Sequence, residues 1–406
     1  MNEIPSTLSR FEEEVLARID RAEVVQLLQD LIRLPSVHPP GDTRDAIDLL
    51  AQKLREAQAP FEILSQNQIQ PSIVASLPGN GGPELLYHAH VDTVPAGEVQ
   101  RWQHPPFAGV LQNGRLYGRG AGDDKSSVAA QIMALITLKR SGVSLKGTLS
   151  VAAVSDEESG GLAGTKWLRD SGRLAPDFLV VGEQTNNEVA VAERVACGID
   201  LTVFGRSAHG AMPWAGENAV LKAARALTWL QDRLFPKLAA RDAEHPYLPP
   251  PTLNVGRIRG GIQWSIVPER CKVEMDRRLL PGETRKEAMA EIEALLEEFS
   301  TTVEPLRYEL FSMGEVAPNI DTPPDHPFVQ TANAALEAAT GEPRPLTGYE
   351  QTSDGRWFAG DGIPIIIFGP SEPAVAHATD EYVSVDQLLE ATRFLTLLAL
   401  RWPSDR

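Results

Sequence analysis

The chain has 406 residues, 42% of them hydrophobic and 23% charged, which is the composition of a globular protein too long for one ordinary core. Its formal net charge of −17 repels phosphate backbones, and no basic stripe with aromatic residues is present, so nucleic acid is not an expected partner. Two cysteines, Cys197 and Cys271, are too few for a disulfide framework and form no Cys-x-x-Cys zinc motif.

The N-terminal region gives no sign of export or of membrane insertion. It alternates acidic and apolar residues and lacks a basic start followed by an apolar run. No apolar stretch of the chain reaches the roughly 20 residues needed to span a bilayer. We therefore expect a cytoplasmic protein without a membrane partner.

The first part of the chain predicts alternating helices and strands. Residues 8–33 and 43–57 carry apolar side chains at helical spacing and predict amphipathic helices. Further on, the pattern predicts strands at 72–77 and 85–90, a hairpin at 110–117, a buried helix at 126–138, a strand at 147–154, a helix at 161–169 and a strand at 178–181. This alternation is typical of an α/β fold with a mixed or parallel sheet flanked by helices.

The alternation of predicted helices and strands ends near Val195 and resumes near Pro318. Between these points it predicts strands at 198–205, 252–258, 271–279 and 303–311, and helices at 217–234 and 284–299. Beyond a Pro-rich segment, a helix at 327–339, a strand at 364–368 and a closing helix at 385–400 follow. The sequence thus predicts a first domain split into 1–195 and 316–406, with a small α+β domain, 196–315, inserted.

Three candidate functional residues stand at the end of the predicted strand 85–90. His88, His90 and Asp92 alternate along the chain, so their side chains point to one face. A neutral imidazole is a good ligand for zinc-like ions, and a nearby carboxylate can fix its tautomer. A single histidine at a strand end is more often structural. With an aspartate two residues later, a metal-binding histidine and a structural histidine become equally good interpretations.

A glycine-rich loop, 117–125, follows the hairpin and precedes the buried helix. Its spacing resembles a dinucleotide-binding loop, but Asp123 stands where the third glycine would be. Asp123 and Asp124 would repel a pyrophosphate, whereas carboxylates on such a loop suit a divalent cation.

Three further segments place acidic or imidazole side chains after predicted strands. Asp156, Glu157 and Glu158 follow the strand 147–154 after Ser155, and three adjacent acids repel one another unless a positive group lies among them. A solvated acidic turn is the alternative interpretation of this segment. Glu183 follows the strand 178–181, and His377 lies in a loop after the strand 364–368.

Together these positions indicate one site. Two histidines, His90 and His377, and three carboxylates, Asp123, Glu158 and Glu183, can hold two divalent ions about 3.5–4 Å apart, with one carboxylate bridging them. Ligands that follow neighbouring strands of one sheet converge on one crevice.

With these residues in order, the chain resembles the di-zinc aminoacylase/carboxypeptidase family of M20 metallopeptidases over nearly its whole length. The matching segments are 90–95 (HVDTVP), 118–123 (GRGAGD), 156–160 (DEESG), 182–185 (GEQT) and the late His377. The resemblance implies a phosphorylase/hydrolase-like catalytic domain of the zinc-peptidase type, with the inserted domain as a lid that also forms a homodimer contact.

The resemblance also assigns roles to individual residues. It implies that His90, Asp123 and Glu183 hold one ion, and that Asp123, Glu158 and His377 hold the other. Zinc is the implied metal, with cobalt or manganese as alternatives. Asp92 would support His90, and Glu157 would be the general base. In the lid, His209 would stabilise the oxyanion in the partner subunit's active site, and Arg278 would bind the substrate carboxylate; Thr352 begins a segment, 352–356 (TSDGR), that resembles the desuccinylase signature.

The implied reaction is hydrolysis of the amide bond of an N-acyl amino acid, a small molecule with a free carboxylate. A dipeptidase, a carboxypeptidase-like exopeptidase and a succinyl-diaminopimelate desuccinylase remain alternatives. Gln351 and Pro373 depart from the desuccinylase pattern and weaken that assignment, and Ser265 stands where many relatives carry Asn in the lid strand. Two other classes remain open: a TIM-barrel amidohydrolase, suggested by His88-x-His90, and a scaffold that binds metal without catalysis.

Overall fold

A computed structural model describes residues 7–241, 244–314 and 317–402 of the chain. The α-helices are α1 (Arg10–Leu16), α2 (Arg21–Arg33), α3 (Arg44–Glu56), α4 (Lys125–Ser141), α5 (Trp167–Asp170), α6 (Ala219–Ala239), α7 (Arg285–Thr302), α8 (Pro327–Thr340) and α9 (Val385–Arg401). The strands are β1 (Phe61–Leu64), β2 (Ser72–Leu77), β3 (Glu84–His90), β4 (Val110–Gln112), β5 (Arg115–Tyr117), β6 (Thr148–Val154), β7 (Phe178–Val181), β8 (Ala190–Glu193), β9 (Val195–Phe204), β10 (Thr252–Gly260), β11 (Arg270–Leu279), β12 (Arg307–Met313), β13 (Thr347–Tyr349), β14 (Ile365–Ile367) and β15 (Tyr382–Ser384).

The prediction of one helix over 8–33 was wrong, because the segment forms two helices, α1 and α2. Asp20 interrupts them with an extended backbone, and its carboxylate accepts hydrogen bonds from the backbone N–H groups of Ala22 and Glu23. A side chain that satisfies the free N–H groups of a first turn starts a new helix at that point.

The large sheet positions the candidate site. Its strand order is β1-β2-β6-β3-β7-β14-β8-β13, in which β6, β3, β7 and β14 are parallel neighbours and β1, β2 and β8 pair antiparallel with theirs. The carboxyl ends of the parallel strands therefore meet at one edge of the sheet. The predicted mixed sheet flanked by helices is confirmed. The sheet is open, with β1 and β13 as its edges, so the TIM-barrel alternative is wrong.

A second, antiparallel sheet has the order β10-β11-β9-β12. Alternate residues of β9 and β11 are buried, which is the pattern of a sheet with one covered face. Helices α6 and α7 pack together and against this sheet, and their apolar side chains join those of the strands in one core. Cys197 and Cys271 are buried in that core as free thiols.

Contacts within the chain divide the described residues into two compact units. The first unit takes residues from Met1–Ala192, Ile320–Tyr349 and Ser353–Arg406, and the second takes residues from Glu193–Asn319 and Glu350–Thr352. The large sheet belongs to the first unit and the four-stranded sheet to the second. Among the described helices, none combines the length and the apolar character that crossing a bilayer requires.

Candidate metal centre and active site

Two groups of potential ligands lie at the carboxyl edge of the large sheet, and they share one residue. Ligand atoms of His90, Asp123 and Glu183 lie within 4.8 Å of one another, and so do those of Asp123, Glu158 and His377. His90 ends β3, Glu158 follows β6 and Glu183 follows β7, so neighbouring parallel strands deliver three of the five residues. The five side chains that the sequence indicated are therefore together in space.

Asp123 lies between the two imidazoles with one carboxylate oxygen facing each. Its Oδ1 is 3.0 Å from Nε2 of His90, and its Oδ2 is 3.1 Å from Nε2 of His377. His377 Nε2 is also 3.2 Å from a carboxylate oxygen of Glu158. A carboxylate with one oxygen in each group has the arrangement that a ligand shared by two ions requires.

A hydrogen bond at Nδ1 of His90 turns the other ring nitrogen, Nε2, toward Asp123 and the ligand group. Nδ1 of His90 is 3.0 Å from the backbone carbonyl oxygen of Asp92, which can only accept, so Nδ1 carries the proton. The Asp92 carboxylate is more distant, 3.6 Å from Nδ1, and instead accepts the backbone N–H groups of Glu157 and Glu158. Asp92 thus contacts both His90 and the turn that carries Glu157 and Glu158.

Burial and mutual repulsion raise the pKa values of the acids around the centre. Burial, followed by the charge of Asp354, raises the pKa of Glu157 well above its usual range. Burial and the nearby Glu157 raise the pKa of Glu183 in the same way. So many carboxyl groups cannot all ionise in a buried site unless positive charge lies among them.

The imidazoles supply part of that positive charge in the protein alone. Burial would raise the pKa of Asp123, but hydrogen bonds from His377 and His90 lower it below its usual value. Hydrogen bonds to Asp123 and Glu158 raise the pKa of His377 to about 10. Protons on these imidazoles occupy the positions in which a cation would lie. The donor set, one imidazole nitrogen and two carboxylates in each group, suits zinc-like divalent ions.

A buried ion pair, which the sequence did not reveal, fixes the loops that carry Asp123 and His377. Glu381 accepts hydrogen bonds from the backbone N–H groups of Gly122 and Asp123, at 2.8 and 3.0 Å. Its other oxygen pairs with the guanidinium of Arg119, which also donates to the backbone carbonyl of His377 at 3.1 Å. Glu381 and Arg119 therefore set the backbone positions of two candidate ligands.

A second buried network lies behind Glu157. The guanidinium of Arg356 is 3.9 Å from a Glu157 carboxylate oxygen and 3.4 Å from that of Asp354. Asp354 accepts the hydroxyl of Thr165 at 2.5 Å. Because Thr165 has one proton to donate, Nε2 of His88, 2.8 Å away, must donate to it. Burial lowers the pKa of His88 to about 3, so His88 is a neutral support of this network, as its position beside His90 suggested.

Tyr349 also contacts the centre, although it belongs to none of the motifs that the sequence indicated. Its hydroxyl lies 2.8 Å from Oε2 of Glu183. Burial and the charge of Glu183 raise the pKa of Tyr349 well above its usual value of 10, so the hydroxyl is a hydrogen-bond donor at neutral pH. The only signal was the position of Tyr349 three residues before Thr352.

His209, Arg278 and Thr352, predicted for substrate binding and catalysis, all belong to the second unit. His209 is exposed, and its Nδ1 accepts the backbone N–H of Ala211, so its proton lies on Nε2. The guanidinium of Arg278 is 3.2 Å from the hydroxyl of Thr352 and 3.0 Å from the carboxylate of Asp276. Arg278 and Thr352 thus form one contiguous group.

An imidazole and carboxylate centre of this kind, with a buried carboxylic acid beside it, defines a metal-dependent hydrolase. The chain belongs to peptidase family M20/M25/M40, whose sequence profile matches residues 86–401. The resemblance to M20 enzymes, and with it the prediction of a hydrolase acting on amide bonds, is confirmed.

Known proteins similar to this chain are members of the same family. The chain is 33% identical over 385 residues to a succinyl-diaminopimelate desuccinylase of Methylobacterium radiotolerans, covering 91% of this chain and 94% of that protein. An M20 family metallo-carboxypeptidase from Sulfolobus solfataricus has the same fold, with a TM-score of 0.75, 18% identity and coverage of 93% and 99%. So does a dinuclear metal binding M20 peptidase of Bacillus subtilis, with a TM-score of 0.70, 17% identity and coverage of 94% and 97%.

Proposed function

We propose that this chain is a two-metal deacylase that hydrolyses the amide bond of an N-acyl amino acid. The observation that carries the proposal is the position of Asp123, whose two carboxylate oxygens each face a different imidazole within two overlapping ligand groups. The desuccinylase relative, which by its name removes an acyl group from an amino acid, supports the reaction class.

The residues divide between two ions. His90, Asp123 and Glu183 would hold one cation, and Asp123, Glu158 and His377 would hold the other, with zinc as the proposed metal. When bound there, two such cations would polarise the scissile carbonyl and lower the pKa of water toward neutrality. Two features suit this role: Nε2 of His90, which faces Asp123 and can bind a cation once its proton is displaced, and the dense negative charge of the acids.

Glu157 is the proposed general base and acid. Its carboxylate takes one proton from the attacking water as the new carbon–oxygen bond forms, and the resulting carboxylic acid gives that proton to the amide nitrogen as the carbon–nitrogen bond breaks. Burial favours the protonated form that the second step needs. Arg356, 3.9 Å away, limits the movement of the side chain between the two steps.

The second unit supplies the proposed substrate contacts. Arg278 would bind the free carboxylate of the amino acid through its planar guanidinium, beside the hydroxyl of Thr352. His209 has an exposed Nε2–H, which is the donor that an oxyanion requires. The assignment of 196–315 as a lid, and the supply of His209 to a partner subunit, rest on the family resemblance.

A homodimer formed through the second unit is part of this proposal. Edge strand β10 is exposed along most of its length, and Trp214, Ile262 and Trp264 have exposed fractions of 78%, 89% and 94%. An unpaired strand edge beside exposed apolar side chains is suited to association with a second copy. Sedimentation equilibrium would show a species of twice the 44.2 kDa chain mass; a monomer at micromolar concentration would contradict the dimer. A cytoplasmic location also stays a prediction.

A substrate panel tests the reaction. Metal-free protein, prepared with a chelator, would be reloaded with zinc, cobalt or manganese and assayed on N-acetyl and N-succinyl amino acids and on dipeptides. We expect turnover of an N-acyl amino acid that vanishes on chelation and returns with metal. Preferential cleavage of dipeptides would favour the exopeptidase alternative. Full activity after exhaustive chelation would contradict the two-metal proposal, and metal binding without any turnover would favour the scaffold.

A further inference from the structure

Tyr349 reaches the candidate metal centre from the far edge of the large sheet. It is the last residue of β13, which lies beside β8, and the backbone N–H of Thr347 donates to Val189 at 3.0 Å. The side chain is 4% exposed. A strand register fixed by hydrogen bonds and a buried aromatic ring hold the hydroxyl in one place.

The contact with Glu183 has a fixed direction. The ionised carboxylate, which is the form that binds a cation, only accepts hydrogen bonds, so in that form the Tyr349 hydroxyl donates to Oε2 of Glu183, at 2.8 Å. The side-chain amide of Gln184 approaches the same oxygen at 3.4 Å. Within the described part of the chain, both hydrogen bonds at the Glu183 carboxylate therefore fall on Oε2, and Oε1 is the oxygen that remains for a cation.

A phenol is chemically suited to this position. An ammonium or guanidinium at the same place would hold the carboxylate as well, but its positive charge would repel a cation bound to the other oxygen. A neutral O–H group orients the carboxylate without that repulsion. Partners of this kind, which touch a ligand but not the ion, commonly account for 10- to 100-fold in metal affinity.

We propose that Tyr349 is a positioning residue that holds Glu183 with one oxygen toward the cation shared with His90 and Asp123. This inference rests on the proposed function, because it requires that these residues bind a cation. It predicts an effect on one of two ions only, because the hydrogen bonds of the Tyr349 hydroxyl among the described residues go to Glu183 and Gln184 and not to Glu158 or His377.

The test is metal binding by Tyr349→Phe, which removes one oxygen atom and keeps the ring. Tyr87→Phe is the matched control: Tyr87 is also fully buried in the first unit, and its hydroxyl donates to the backbone carbonyl of Leu395 at 2.7 Å. Metal-free proteins would be titrated with Zn²⁺ against a chromophoric chelator, and their thermal unfolding compared before loading. His377→Ala, which removes a ligand of the other ion, identifies which binding event belongs to which group.

We expect wild type and Tyr87→Phe to bind two ions with equal affinities. In Tyr349→Phe one ion should bind about 10- to 100-fold more weakly, and the weakened event should be the one that survives in His377→Ala. Equal affinities in Tyr349→Phe and Tyr87→Phe would overturn the inference alone, and so would equal weakening of both ions. Wild-type protein that binds no cation would overturn the proposed function as well.

Discussion

Most candidate ligands of the first unit are held differently from the candidate substrate contacts of the second. In the first unit, His90, Asp123 and Glu183 are buried and a polar partner contacts each of them, whereas Glu158 is half-buried and His377 is exposed. In the second unit, His209 is exposed, and Arg278 keeps 27% of its side chain accessible. Buried ligands need a rigid surrounding because their charges are costly to misplace, whereas groups that meet a substrate must stay reachable. Substitutions of site residues in the first unit should therefore lower activity or stability more than substitutions in the second unit.

The largest effect is expected at the proposed base. Glu157→Gln keeps the shape of the side chain but can no longer accept a proton, so kcat should fall by about 10²–10⁴-fold with both metal ions retained. Steady-state kinetics and metal analysis measure the two quantities. Glu98→Gln, an exposed acid of the same unit, is the control and should leave kcat unchanged. Near-normal turnover in Glu157→Gln would refute the assignment.

The next largest effect, a loss of folding stability, is expected at Glu381. Glu381→Gln leaves the buried guanidinium of Arg119 without its ionic partner, which should lower the free energy of unfolding of the metal-free protein by about 3–5 kcal/mol. Glu304→Gln is the control, since its partner Arg225 is 50% exposed and such pairs contribute at most about 1 kcal/mol. Denaturant titration measures the free energy of unfolding of both variants. Equal losses would contradict the expectation that the buried pair stabilises the fold more than the exposed pair.

The smallest effect is expected at Arg278. Arg278→Ala removes hydrogen bonds to a substrate carboxylate that contribute about 1.5–3 kcal/mol, so kcat/KM should fall about 10- to 100-fold. The loss should disappear for a substrate whose carboxylate is replaced by a carboxamide. Lys286→Ala, which removes an exposed charge of the same unit, serves as control. A loss that is equal for both substrates would assign Arg278 a structural role.

The sequence predicted the elements that have a regular pattern over many residues. The strands that deliver His90, Glu158 and Glu183 were predicted because each is an apolar run that ends in a polar cluster. The short strands β1, β8, β13 and β15 were missed, because three or four residues are too few to establish a period. Strands equally short were predicted only where a turn signal (β4 and β5) or an uninterrupted apolar run (β7 and β14) marked them. Because β13 was not predicted, Tyr349 was not placed on a strand of the large sheet.

The contacts that support the site lie between distant parts of the chain and could not be read from local patterns. Glu381 and Arg119 are 262 positions apart, and Thr165 and Asp354 are 189 apart. A buried acid has no sequence signature until its partner is known. The ligands could be identified because each belongs to a short motif, whereas the residues that hold them in place depend on the tertiary fold.

The two cysteines provide a consequence that concerns the second unit alone. Cys197 and Cys271 are the only thiols of the sequence, both are sealed in the core of that unit, and burial raises the pKa of each. A thiol-specific dye can therefore label the protein only after this unit opens. Labelling rates would follow the opening of the second unit without any engineered probe, while the unit that carries the metal ligands does not react with the dye.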